Sequence, residues 1–199
     1  MIKNKFMNEK IAKQILENVC NYPKGKLVCA DKPDLQDAIG SCGIEVVEDC
    51  YSNEIEAERF VEGIWKKQIS EIRPGGIKRL ERIGGSIIEE NGVVIGASLG
   101  KTPNNPNNLI KTIKRKVEKL NGSEYEDFSS YRLYVFVDTV FLFDSNVHNV
   151  INVIEEYQND RERIYEKIYL DGGYEMCICD MRQGIFTRKS IRPEFRNIN

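Results

Sequence analysis

Two carboxylates at a spacing suited to holding a divalent cation lie in the stretch Asp31 to Glu48, DKPDLQDAIGSCGIEVVE. Asp34 follows Pro33 in a turn dipeptide, and eleven positions later Glu45 sits inside the apolar run Ile44, Val46, Val47. A carboxylate flanked by β-branched residues reads as a residue on a buried strand. There an uncompensated charge costs several kcal/mol. A second carboxylate on a neighbouring strand allows compensation by a hard cation such as Mg²⁺, which takes oxygen ligands from one or two carboxylates. The structural alternative is a plain Pro-Asp turn followed by an acid on an edge strand that faces water.

The elements that must position these acids are read from periodicity. Residues 7–20 place Ile11, Ile15, Leu16 and Val19 at helical spacing, and Tyr22-Pro23-Lys24-Gly25 ends that helix. Short apolar runs at 26–30 and 44–47 predict strands, separated by a turn-rich segment through Gly40 and Gly43. Residues 53–72 have helical composition and Pro74-Gly75-Gly76 is expected to close that helix. Glycine-punctuated runs over 77–100 suggest short strands or a hairpin. A helix is expected over 109–120, with Ile110, Ile113, Val117 and Leu120 on its inner face. A strand or strand pair follows over 132–143. Residues 147–157 and 161–168 read as one interrupted helix, and 174–179 with 184–187 as a terminal hairpin turning at 180–183. No repeat or linker divides the chain, so the expectation is one α/β domain over residues 1–199.

Composition narrows the function classes. The chain is 30% charged and 41% hydrophobic with a formal net charge of −2, which describes an ordinary globular protein. No run approaches the length needed to span a bilayer. The opening MIKNKFMNEK lacks an apolar signal stretch, so a cytoplasmic location is expected. The acidic balance does not advertise a nucleic-acid binder, although lysines cluster over 111–119 and arginines gather in the tail at Arg182, Arg188, Arg192 and Arg196. Six cysteines and a lone His148 show no zinc-ligand spacing and read as reduced thiols. Gly96 to Thr102 imitates a phosphate loop but has three residues between its glycines where four are required, and Pro103 follows instead of a helix start. Tyr131, Tyr134, Phe136, Phe141 and Phe143 signal core packing; Phe186 and Phe195 lie beside the basic tail, where stacking on a base competes with a core role.

The spacing Pro33-Asp34-x10-Glu45-Val46-Val47 resembles the metal-binding core of the PD-(D/E)XK nuclease superfamily. The wider PDLQ…GIEV is similar to uncharacterised bacterial members whose motif reads GIEVT. The likeness is specific over 31–48. It extends loosely through the helix containing Lys116 and Lys119, the Tyr125 region and the strand 133–137. The resemblance implies a restriction-endonuclease-like core, a mixed central sheet flanked by helices, with Asp34 and Glu45 on adjacent antiparallel strands holding Mg²⁺, or Mn²⁺ in its place. It implies phosphodiester hydrolysis in DNA, with nucleic acid and a second copy of the chain as partners, and leaves DNA against RNA open. It also implies an accessory metal-ligating glutamate from the first helix, Glu9 in preference to Glu17. Gln36 and Glu48 are close enough to support the acids, with strand alternation placing Glu48 on the face opposite Glu45.

The sequence departs from the family pattern two positions after Glu45, where Val47 stands in place of lysine. That lysine would orient the attacking water and stabilise charge developing near the phosphate. Lys116 is the first candidate to supply the missing catalytic ammonium, because it lies on a helix whose opposite face packs inward; Lys66 and Lys67 come next. The competing reading is a catalytically inactive, nuclease-like scaffold of a mobile-element or defence system.

Overall fold

A computed structural model describes residues 2–37, 41–49, 60, 62–82, 85–99, 104–122 and 126–197. Along the chain run helix α1 (Ile2–Val19), strands β1 (Leu27–Cys29), β2 (Leu35–Asp37) and β3 (Cys42–Asp49), helix α2 (Pro74–Arg82), strands β4 (Gly85–Glu90) and β5 (Val93–Leu99), and helix α3 (Asn107–Leu120). They are followed by β6 (Ser130–Val137), α4 (Asp144–Gln158), β7 (Tyr165–Asp171), β8 (Glu175–Asp180) and β9 (Ile185–Ser190). Among the described residues, no helix is long and apolar enough to cross a membrane.

Seven strands form one mixed sheet in the order β1-β2-β3-β6-β7-β8-β9, antiparallel at both ends and parallel through β3, β6 and β7. Strand alternation divides its side chains between two cores. Leu27, Leu35, Cys42, Ile44, Val46, Tyr134, Tyr169 and Met176 pack with Ala12, Ile15 and Leu16 of α1. The opposite face, with Leu133, Val135, Val137, Ile168, Leu170, Cys177 and Cys179, packs under α3 and α4. Burying each side chain of Leu or Ile size contributes about 1.5–3 kcal/mol, so the sheet is anchored from both sides. The parallel steps from β3 to β6 and from β6 to β7 each carry a helix on that second face, as same-handed crossovers require.

The segment between β3 and α3 forms a small unit of its own. Antiparallel β4 and β5 pack through Ile87 and Val94 against Phe60, Ile64, Ile69, Ile72 and Ile77. The phosphate-loop look-alike begins inside β5, and its residues 100–102 lie outside the described ones.

Several expectations are corrected. Of the helix expected over 53–72, residues 53–59 and 61 lie outside the described residues, while 60 and 62–64 are helical. That helix does not run on to 72: Lys66 takes a left-handed conformation at φ 62, Gln68 bridges to Val93, and Ile69–Glu71 is a separate 3-10 turn. Pro74 opens α2 instead of closing a helix, as suits a residue with preset φ and no amide hydrogen. Residues 161–168 do not continue α4; Tyr165 to Asp171 is the strand β7, whose apolar side chains fill both cores. β6 stops at Val137, and Phe141 and Phe143 stand exposed against one another with centroids 5.8 Å apart rather than in the core. Phe186 and Phe195 pack against the two cores. Cys50 and the Tyr125 region lie outside the described residues, and no disulfide joins the described cysteines.

One glycine is needed where it stands. A Cβ on Gly43 would meet the Pro33 side chain at 2.5 Å and Phe128 at 3.2 Å, so the strand residue two before Glu45 must be bare for the Pro33-Asp34 turn to close on it. Gly43→Ala is expected to push Pro33 outward and lower stability by about 1–3 kcal/mol, the usual range for overpacking. Urea unfolding of the variant against wild type measures this.

Candidate functional site

The register of β2 on β3 pairs Leu35 with Ile44 and Gln36 with Gly43. One further step along that ladder sets Asp34 across from Glu45. The Asp34 carboxylate is buried and accepts a 2.8 Å hydrogen bond from the Val46 backbone amide, which locks the turn to the strand beside Glu45. The structure therefore brings the Asp34 carboxylate to the backbone next to Glu45 where β2 begins.

Glu45 shares the helix-covered face of β3 with Val47 and Asp49, since residues two apart point the same way. Helix α3 lies over this row with two adjacent stripes. Leu109, Ile113, Val117 and Leu120 enter the core, while Asn108, Thr112, Lys116 and Lys119 form the polar flank beside them. Lys116 Nζ stands 2.6 Å from Glu45 Oε1, and Lys119 Nζ lies 3.6 Å from the same oxygen. Glu45 is 3% exposed and Lys116 only 14%, whereas Lys119 reaches solvent at 45%. Lys116 thus does not project from the outer side of its helix, as expected from sequence, but turns in along the flank.

Further along the same face, Asp49 accepts hydrogen bonds from Asn108 at 2.7 Å, from Thr112 at 3.5 Å and from the Thr139 hydroxyl. Burial raises the Asp49 pKa above the ordinary carboxylate value, and the hydrogen bonds from Thr139 and Asn108 offset this in part. These partners went unread in the sequence. The available signals were the two-residue step Glu45, Val47, Asp49 on the strand and the four-residue step Asn108, Thr112, Lys116 on the helix.

The remaining candidates distribute unevenly. Glu9 is buried on the inner side of α1, and it acts with Asp34 to raise the Cys29 thiol pKa, behind burial as the main cause. Among the described residues, however, no three His, Cys, Asp or Glu side chains gather into a group able to hold a metal ion. A cation here would rest on Asp34 and Glu45. Glu17 accepts the Gly25 amide at 3.0 Å and pairs with Lys13, serving the end of α1. Glu48 is exposed, and Gln36 is half-buried in β2. Lys66 and Lys67 stand exposed on the small unit containing β4 and β5.

A cavity of about 670 Å³ opens elsewhere, lined by Ser130, Tyr131, Gln158, Arg161, Arg163 and Arg182 among others, and includes neither acid. Its arginines are engaged, Arg161 with Glu118 at 2.6 Å, Arg182 with Glu166 at 2.5 Å and Arg163 with Asp127. The chemistry is therefore sought at the acids and not at this cavity.

No family model, curated protein or solved structure matches this chain.

Two outcomes are expected. Lys116→Met leaves Glu45 buried beside the Lys119 ammonium. Stability should fall by about 2 kcal/mol, less than the ~3–5 kcal/mol typical when a buried pair loses its sole partner. Adding Glu45→Gln should recover most of that loss, and a double-mutant cycle by chemical denaturation reads the coupling. For Asp49, a folded-state pKa above the unfolded one means that the native state takes up the proton first as pH falls. Wild type should therefore gain stability relative to Asp49→Asn between neutral pH and about pH 4, where the unfolded carboxyl titrates. Unfolding curves for both proteins across that range would show a difference widening toward acid.

Proposed function

We propose that this protein is a divalent-cation-dependent nuclease that hydrolyses phosphodiester bonds in DNA, on a restriction-endonuclease-like core of the PD-(D/E)XK kind. The observation that carries the reading is the Asp34 carboxylate bonded to the Val46 amide beside Glu45, with the Lys116 ammonium 2.6 Å from Glu45. The element order supports it: helix α1, the antiparallel strands β1, β2 and β3, helix α3, and β6 parallel to β3 form the sequence that the resemblance implies.

The donor set suits Mg²⁺ in kind. Both side chains offer hard oxygen, and Mg²⁺ commonly takes one or two carboxylates and completes its shell with water and substrate phosphate. Asp34 and Glu45 would hold the ion, which supplies Lewis acidity and a bound water of lowered pKa. Lys116 does its part from the helix, holding the Glu45 carboxylate in orientation and presenting positive charge where negative charge grows on the phosphate. The lysine missing at position 47 is thereby supplied from α3 in this reading, while Val47 packs against the core.

A second reading has an observation behind it. Glu45 is already paired with two ammonium groups, and the three-acid group with Glu9 does not form among the described residues. A nuclease-like scaffold that binds partners without cleaving them would have that character.

Purified protein incubated with DNA in Mg²⁺ or Mn²⁺ should cleave it. Asp34→Ala, Glu45→Ala and Lys116→Ala should each lower the rate by about 100-fold or more, the scale of losing one charge-stabilising group. Cleavage that persists in Asp34→Ala/Glu45→Ala would exclude this site. Absence of cleavage in wild type, together with a melting temperature indifferent to Mg²⁺, would favour the scaffold, because an ion bound to the native state must raise stability by mass action.

A further inference from the structure

The small unit between β3 and α3 presents the chain's single tryptophan to solvent. Trp65 is 50% exposed, although its side chain is large and apolar enough to be a core residue. Lys66 and Lys67 follow it, both exposed. Lys66 adopts φ 62, a left-handed conformation that a lysine enters only at a cost and that glycine or asparagine would take more readily. The left-handed residue ends the helical residues 62–64, and the turn it makes leaves the indole and both ammonium groups on the surface.

The turn is held firmly in place. The Lys66 amide donates to the Val94 carbonyl at 2.9 Å, the Val94 amide to the Lys67 carbonyl at 3.0 Å and the Lys67 amide to the Ile64 carbonyl at 3.0 Å. One step further, the Ile69 amide donates to the Gly92 carbonyl at 2.9 Å. The indole and its two ammonium neighbours therefore ride on β5 and not on a loose loop. Over the described residues of the unit, 60, 62–82 and 85–99, six basic residues stand against five acidic ones, so the positive charge offered to an anion is the local pair Lys66 and Lys67.

We propose that the Trp65-Lys66-Lys67 turn binds single-stranded nucleic acid, the indole stacking on an unpaired base and the two ammonium groups meeting the flanking phosphates. A flat aromatic face offers sequence-tolerant stacking, and adjacent lysines track the backbone. A duplex, whose bases are already stacked, satisfies the lysines and leaves the indole unused. This deepens the nuclease reading by naming the strand that the protein would grip, and it rests on that reading for the choice of nucleic acid as ligand.

Because Trp65 is the only tryptophan, its emission reports this turn alone. In EDTA, where no cleavage occurs, titration with a single-stranded DNA oligonucleotide should quench that emission saturably, and the corresponding duplex should quench it far less. Trp65→Ala should weaken binding of a fluorescein-labelled single strand about tenfold or more by anisotropy, the scale of one lost base stack. Lys66→Gln/Lys67→Gln, which keeps the tryptophan, should reduce the slope of log affinity against log salt by about 1.4, the counterion release of two phosphate contacts on a single strand. Unchanged emission at saturating oligonucleotide, equal quenching by duplex, or emission that shifts with protein concentration alone would overturn the proposal; the last would mark the turn as a contact between copies of the chain. A protein that quenches but never cleaves keeps this surface and loses the nuclease reading, while one that cleaves without quenching does the reverse.

Discussion

The buried carboxylate of Glu45 is the constraint around which the rest is arranged. It sits mid-strand in the sheet, where a lone charge is not tolerated, and α3 answers with Lys116 and Lys119. At an effective dielectric near 20, two unit charges 4 Å apart attract by about 4 kcal/mol, but much of that is cancelled by taking both out of water. The pair thus contributes less to net stability than to placement. It fixes where along β3 the helix can lie, and Asp49 with Asn108 and Thr112 fixes a second point on the same strand. Two polar contacts at separate heights define both the position and the direction of α3, which the apolar stripe alone would leave free to slide.

The other wall of the site depends on shape more than charge. Gly43 lets Pro33 approach β3, and this brings Asp34 to the Val46 amide, a strand donor that needs an acceptor. The same short stretch of β3 therefore receives the turn through a missing side chain and the helix through a buried one. Gly43 and Glu45 have the same strand parity, so one face serves both functions. This is a structural reason for the GIEV spacing that holds whether or not the protein cleaves anything.

How far the sequence could be read follows from the strength of its periodicity. Helix α3 was legible because four apolar residues recur at helical spacing, and the terminal hairpin because Asp180 to Gly184 interrupts two alternating runs. β7 was not, since Arg161 to Ile168 contains charged residues at spacings that suit either element, and only pairing with β6 and β8 decides. The Pro74 error came from reading proline as a stop where it serves equally as a start. At the site, Asp34, Glu45 and Lys116 carried signals of motif and charge. Asn108, Thr112 and Thr139 carried none, because a lone polar residue at the edge of an apolar stripe looks like any solvated side chain until the strand beneath it is known. Trp65 stands just past the helical residues 62–64, and its exposure follows from the turn that ends them.

Charge balance connects the site to the chemistry proposed for it. Asp34 and Glu45 carry two negative charges, and Lys116 and Lys119 carry two positive ones within reach of Glu45. Those four groups are neutral together, so the charge of Glu45 is met within the protein, and among the described residues no three-acid group adds to it. Under the nuclease reading, a divalent cation adds two positive charges, and the phosphates of a bound strand bring the balance back. Lys119, the more exposed of the two ammonium groups, can leave Glu45 for such a phosphate at small cost, while Lys116 stays enclosed between helix and strand. One lysine is then suited to holding the site in shape and the other to sensing what arrives, a division of labour that follows from their difference in burial.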